Sequence, residues 1–130
     1  PVLSRGLGDV YKRQAKFVVE NKIKLENLNE PKLIFSNNAL EGAKAFPANV
    51  NVAAAVGLAG VGAKKTQLEI WADPTLTKNT HTILVKSDSS NFKIEIENIQ
   101  SVENPGTGKI TSLSVVATLR GIISSLKVGT

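Results

Sequence analysis

His81 is the only histidine among the 130 residues, and the chain has no cysteine. Imidazole is the one side chain whose unperturbed pKa lies near neutral pH, so a search for proton transfer starts at this residue. It closes the run Ala72-Asp73-Pro74-Thr75-Leu76-Thr77-Lys78-Asn79-Thr80-His81, which passes into the alternating stretch Thr80-His81-Thr82-Ile83-Leu84-Val85. Alternation puts His81 on the face of Ile83 and Val85, at the rim of a buried surface. Asn79, two residues earlier, points the same way if the strand has begun by then. Asp73-Pro74 has turn chemistry, with the carboxylate bonding nearby backbone N–H groups.

Asn49 and Asn51 form a second group, in the first turns of a helix built of small residues. One reading is helix capping, or an amide satisfied by backbone. The functional alternative has one amide facing a ligand at the helix N-terminus. A carboxamide suits a carboxamide partner because it offers donor and acceptor together. Gly57-Leu58-Ala59-Gly60-Val61-Gly62-Ala63-Lys64-Lys65-Thr66 looks faintly like a phosphate loop. Its spacing is wrong, and it follows a helix and precedes a strand, the reverse of the required order. A helix C-terminus is also the negative end of the dipole. No G-x-G-x-x-G follows a strand anywhere, so the chain has no nucleotide fold of its own.

Composition narrows the alternatives. A chain of 130 residues with 42% hydrophobic and 21% charged residues can bury one real core. The net charge of +5 does not make a nucleic-acid surface. Arg5, Lys12 and Arg13 against Asp9 account for two of those charges, and elsewhere Lys and Glu interleave as on a solvated face. Only 5% of residues are aromatic, so a base-stacking platform is lacking. The longest apolar run, Val50 to Val61, is too short to cross a bilayer and is broken by Asn51. Absence of cysteine excludes a disulfide framework and thiolate zinc sites, and fits a cytoplasmic protein. One histidine with scattered carboxylates gives no metal-binding cluster.

The first fourteen residues, Pro1 to Gln14, read unlike the rest. They carry no period that continues past Gln14, and no apolar segment of a signal peptide. They resemble translated sequencing-adaptor read-through. The expectation is an appended, non-native segment at 1–14, with the domain proper at 15–130 and the natural protein beginning further upstream.

From Ala15 onward the pattern predicts alternating strands and helices. Lys16 to Val19 is a short candidate strand, and Lys32 to Phe35 a better one, stopped by Ser36-Asn37-Asn38. Asn38 is a plausible N-cap for a helix from Ala39 to Phe46. Pro47 suits the first turn of a second helix running to about Ala59. Gly57 lowers helix propensity there by about 1 kcal/mol relative to Ala, so close packing is its expected reason. Strands come next around Leu68-Ile70-Ala72, His81-Ile83-Val85 and Phe92-Ile94-Ile96, the last being the clearest half-buried alternation. Ser87 to Asn91 reads as a hairpin turn between the last two. A closing helix spans Ile110 to about Leu126. The fold class is therefore α+β, a mixed or antiparallel sheet covered by helices.

Four blocks then combine. Phe46-Pro47-Ala48-Asn49-Val50-Asn51-Val52-Ala53-Ala54, Ala72-Asp73-Pro74 with Asn79-x-His81, Glu103-Asn104-Pro105 with Thr107, and Leu113-Ser114 with Leu119-Arg120 together resemble the C-terminal domain of L-aspartate dehydrogenases. Their order and spacing match, and they cover nearly all of residues 32–130. The resemblance implies the C-terminal catalytic domain of a two-domain Rossmann dehydrogenase whose nucleotide-binding domain is missing here. It implies NAD or NADP as cofactor, L-aspartate as substrate and iminoaspartate as product, with oxaloacetate and ammonia after hydrolysis. It further implies a homodimer, with no nucleic-acid or membrane partner. The family's active-site histidine matches His81, and a family asparagine that contacts the cofactor matches Asn51. The family usually has Lys after the Asn-Pro pair, whereas Gly106 stands here, which removes any anion contact from that position. Other readings are a non-catalytic α+β association module with a structural His81, or the equivalent domain of another two-domain dehydrogenase. The fragment is expected to be inactive by itself.

Overall fold

The computed structural model describes residues 2–5, 16–47, 50–100, 102 and 108–124. Among these residues five strands and four helices succeed one another as β1 (Val2–Arg5), α1 (Lys16–Glu20), β2 (Lys32–Asn38), α2 (Ala39–Ala45), α3 (Asn51–Ala59), β3 (Gln67–Ala72), β4 (Thr80–Lys86), β5 (Asn91–Glu97) and α4 (Lys109–Ile123). The strands make one sheet in the order β2-β3-β1-β4-β5. Only β1 and β3 are parallel; the other neighbours are antiparallel, so the sheet is mixed. This matches the fold class read from the residue pattern.

Alternation in β3 sends Leu68, Ile70 and Ala72 into the core, all at most 2% exposed. α2 and α3 cover that face: Ala39, Phe46, Val50 and Ala53 are buried in the same cluster as Ile34, Leu68, Ile70 and Ile83. Asn38 caps α2 as expected, its side-chain oxygen accepting from the Glu41 N–H at 2.9 Å. The hairpin also forms: Ser87 joins Ser90 across the β4–β5 turn through its N–H and its hydroxyl, at 3.0 and 2.8 Å.

Several expectations are corrected. Lys16 to Glu20 is helix α1, not a strand. A four-residue apolar run has too few positions for its period to decide. The helix lets Phe17 join Phe35 and Phe46, with ring centroids 5.4 to 5.7 Å apart. β2 does not stop at Phe35 but runs through Ser36 and Asn37, which keep pairing with Glu69 and Leu68. Pro47 lies outside α3, whose N-cap is Val50. β5 is an edge strand, so its apolar face is only partly covered: Phe92 is 49% and Ile94 44% exposed.

β1 falls within the segment expected to be non-native. Val2–Arg5 nonetheless pairs with β3 on one side and β4 on the other. Ladder hydrogen bonds come from the backbone, so any extended segment can make them.

Residues 98–130 form a separate compact unit from residues 1–97. Within it, Gln100 bridges Gly108, and the Lys109 N–H reaches the Ile99 carbonyl at 2.9 Å as α4 begins. α4 ends at Ile123, short of Leu126, and Val115, Val116, Leu119, Ile122 and Ile123 make an exposed apolar stripe along it.

Candidate active site

The turn before β4 is built around Asp73. It is buried, and its Oδ1 accepts the Thr75 backbone N–H at 2.9 Å and the Thr75 hydroxyl at 2.6 Å. This is the turn chemistry expected of Asp-Pro, and it leads the chain through Lys78 and Asn79 into Thr80. Lys78 reaches Glu97 at 3.4 Å, so the entry to β4 is also tied to the end of β5.

His81 is half-buried in β4. Its register partners are Ser4 in β1 and Ile96 in β5, while Ser4 in turn faces Ile70 in β3. Residues directly opposite across strands share a face. His81 therefore lies on the face of Ile70, which α2 and α3 cover, as its alternation with Ile83 and Val85 required.

Asn51 opens α3 and is exposed. The capping reading of this residue does not hold, because the N-cap is Val50 and no side chain caps the helix. Asn49 lies outside the described residues, as do residues 103–107, which hold the Asn104-Pro105-Gly106-Thr107 loop.

Val56, Gly60 and Val61, at the end of α3, line one cleft with Leu84, Val85 and Lys86, at the end of β4. The chain then turns through Gly62, at φ +88°, and enters β3 at Gln67 beside that cleft. α3 spans roughly 13 Å and β4 roughly 20 Å from this common end. Both start away from it. β3 runs parallel to β1 and β4 antiparallel to it, so the end of β3 at Ala72-Asp73 and the start of β4 at His81 lie together at the opposite end of the sheet.

The small residues of α3 have an identifiable role at one position. A Cβ on Gly57 would stand 3.1 Å from the Ala63 Cα, so the helix lies against the backbone of the turn at its C-terminal end. That close approach is internal to the chain. The glycine-rich run itself is a turn, closed by the Lys65 and Thr66 N–H groups on the Gly62 carbonyl. Among the described residues no group of three or more His, Asp or Glu side chains could hold a metal, and no helix is long and apolar enough to cross a membrane.

A further polar group of the site is not evident from residue types. The Asn79 side-chain oxygen is buried with no hydrogen-bond partner among the described residues. Its position two residues before His81 is visible in the sequence; its lack of a partner is not.

The chain is similar to several known proteins. A family model described as "Aspartate dehydrogenase, C-terminal" matches residues 9–122. An L-aspartate dehydrogenase of Bradyrhizobium diazoefficiens is 54% identical over 116 residues, covering 89% of this chain and 41% of that protein. L-aspartate dehydrogenase 3 of Bordetella bronchiseptica is 49% identical over the same length, covering 89% and 42%. The crystal structure of aspartate dehydrogenase from Thermotoga maritima superposes with a TM-score of 0.69 at 26% identity, covering 98% of this chain and 45% of that one. The chain thus spans about two fifths of the length of these relatives. With the family model matched over most of its residues, the chain belongs to the aspartate dehydrogenase C-terminal domain family.

Proposed function

We propose that this domain is the catalytic part of an NAD- or NADP-dependent L-aspartate dehydrogenase, with His81 as the proton-transfer group and Asn51 as a cofactor contact. The observation that carries the reading is a half-buried His81 at the start of β4, on the helix-covered face of the sheet, in a chain of this family. Asn51 fits a nicotinamide: its amide is exposed, takes no part in capping, and can offer donor and acceptor to the ring carboxamide. The bound cofactor would accept the hydride from the substrate α-carbon. A Rossmann domain upstream of this one would bind the rest of the nucleotide.

The remaining chemistry falls to this chain. Oxidation of L-aspartate to iminoaspartate requires the α-ammonium to lose a proton before the C–H bond breaks. A neutral imidazole at His81 takes that proton through either ring nitrogen. Once that first proton has passed to solvent, water must add to the imine carbon, and the freed imidazole can take the water proton and return it to the departing nitrogen as ammonia leaves. A half-buried position on the sheet face keeps the ring close to solvent while its strand holds it in place. Residues 15–130 constitute the domain in this reading, and 1–14 an appended segment. The whole protein would be a cytoplasmic homodimer.

The direct test joins residues 15–130 to the N-terminal part of the Bradyrhizobium relative, which must supply a strand in the place that β1 takes between β3 and β4, and monitors cofactor reduction by absorbance with L-aspartate. Turnover with NAD or NADP is expected. A folded chimera that binds cofactor but oxidises no aspartate would reject the substrate assignment.

A further inference from the structure

The entry to β4 contains one polar group that the chain itself leaves unanswered. Near Asn79 several polar side chains are paired: Asp73 with Thr75, Lys78 with Glu97, and the Thr80 hydroxyl with the Lys78 carbonyl at 3.4 Å. The Asn79 oxygen is buried and has no such partner among the described residues. Native chains rarely carry a buried acceptor in this state, because its desolvation is not offset by a hydrogen bond. Whatever answers it must supply an N–H or O–H.

Asn79 is two residues from His81, so the two backbones are at most about 7 Å apart. On the dehydrogenase reading, a substrate nitrogen lies beside that imidazole. This nitrogen carries N–H groups as an ammonium, as an amine and as an imine, and water brings O–H groups at the hydrolytic stage. A neutral amide oxygen can accept from each of them without changing the proton inventory. A carboxylate there would instead favour the ammonium and oppose its deprotonation.

We propose that Asn79 is a substrate-contacting residue, its side-chain oxygen accepting a hydrogen bond from the reacting α-nitrogen and holding that nitrogen beside His81. The inference rests on the dehydrogenase reading and adds a residue to it.

The test uses the same chimera with Asn79→Ala and Asn79→Asp, and the 130-residue chain for stability. Asn79→Ala should raise the KM for L-aspartate at least tenfold and leave the cofactor KM within twofold. The melting temperature of the chain should not fall, since the substitution removes an unanswered acceptor and not a bond. Asn79→Asp should move the acid limb of the kcat profile to higher pH, because its charge holds the nitrogen protonated. An unchanged aspartate KM in Asn79→Ala would overturn the proposal. So would a lowered melting temperature with both KM values rising together, the signature of a scaffold residue. Wild-type chimera without aspartate turnover would remove the dehydrogenase reading and this inference with it. An active wild type with an indifferent Asn79→Ala would remove this inference alone.

Discussion

Ile70 and His81 stand opposite the same residue, Ser4, from the two sides of strand β1. They therefore share one face of the sheet, Ile70 at 1% exposure and His81 half-buried. The position that anchors the core and the position proposed to move protons differ by two strands in one row. Chemistry at His81 is thus supported by a rigid element, which keeps the imidazole in place through a reaction cycle.

That separation predicts different consequences for activity and stability. Replacing His81 by Ala in the chimera should lower kcat by about two to four orders of magnitude, the usual range for a general acid–base group. Stability should change by no more than about 1 kcal/mol, because the ring is only half-buried. Steady-state kinetics and urea unfolding of the same preparation measure both; a kcat near the parent value would refute the role.

Asn51→Ala should act on the cofactor alone. The side chain caps nothing in α3, so the melting temperature should stay within about 1 °C of the parent. Loss of one hydrogen bond, about 0.5–1.5 kcal/mol, corresponds to a cofactor KM raised roughly 2- to 13-fold. A rise confined to the aspartate KM would place Asn51 on the substrate instead.

Gly57→Val should destabilise the chain by about 2 kcal/mol or more. The added Cβ would meet the Ala63 backbone at 3.1 Å, and backbone yields less readily than a side-chain end. Gly57→Ala brings the same Cβ, which offsets its helix-propensity gain of about 1 kcal/mol. Equilibrium unfolding should find Gly57→Ala no more stable than the parent, and a gain near the full propensity value would show that α3 and the turn can separate freely.

Removal of residues 1–5 tests the central strand. Without β1, the facing edges of β3 and β4 lose their ladder partner, and unpaired edges promote association between chains. The truncated chain should melt several degrees lower and elute at a larger, concentration-dependent size. A monodisperse chain with an unchanged melting temperature would show that the sheet does not need this strand.

Much of the fold is legible in the sequence because strong local signals agree with the tertiary result. Leu68-Ile70-Ala72 alternates cleanly and is buried as it reads; Asn38 caps the helix after it, and Asp73-Pro74 makes the turn its chemistry favours. Lys16 to Glu20 is ambiguous because so short a run fits a helix and a strand alike, and only the Phe35 and Phe46 rings select the helix. Phe92 and Ile94 alternate as well as any core strand, yet exposure at the sheet edge depends on strand order, which alternation does not contain.

The sequence by itself determined the residue types and their spacing: a single imidazole two positions after an asparagine, a small-residue helix opened by Asn51, and family blocks in register. Tertiary structure decided that the end of β3 and the start of the imidazole strand lie at one end of the sheet, and that the Asn79 oxygen is enclosed without a partner among the described residues. Periodicity assigns a side chain to a face through local backbone geometry. Strand order, helix direction and enclosure arise from contacts between segments distant along the chain, and no local pattern encodes them.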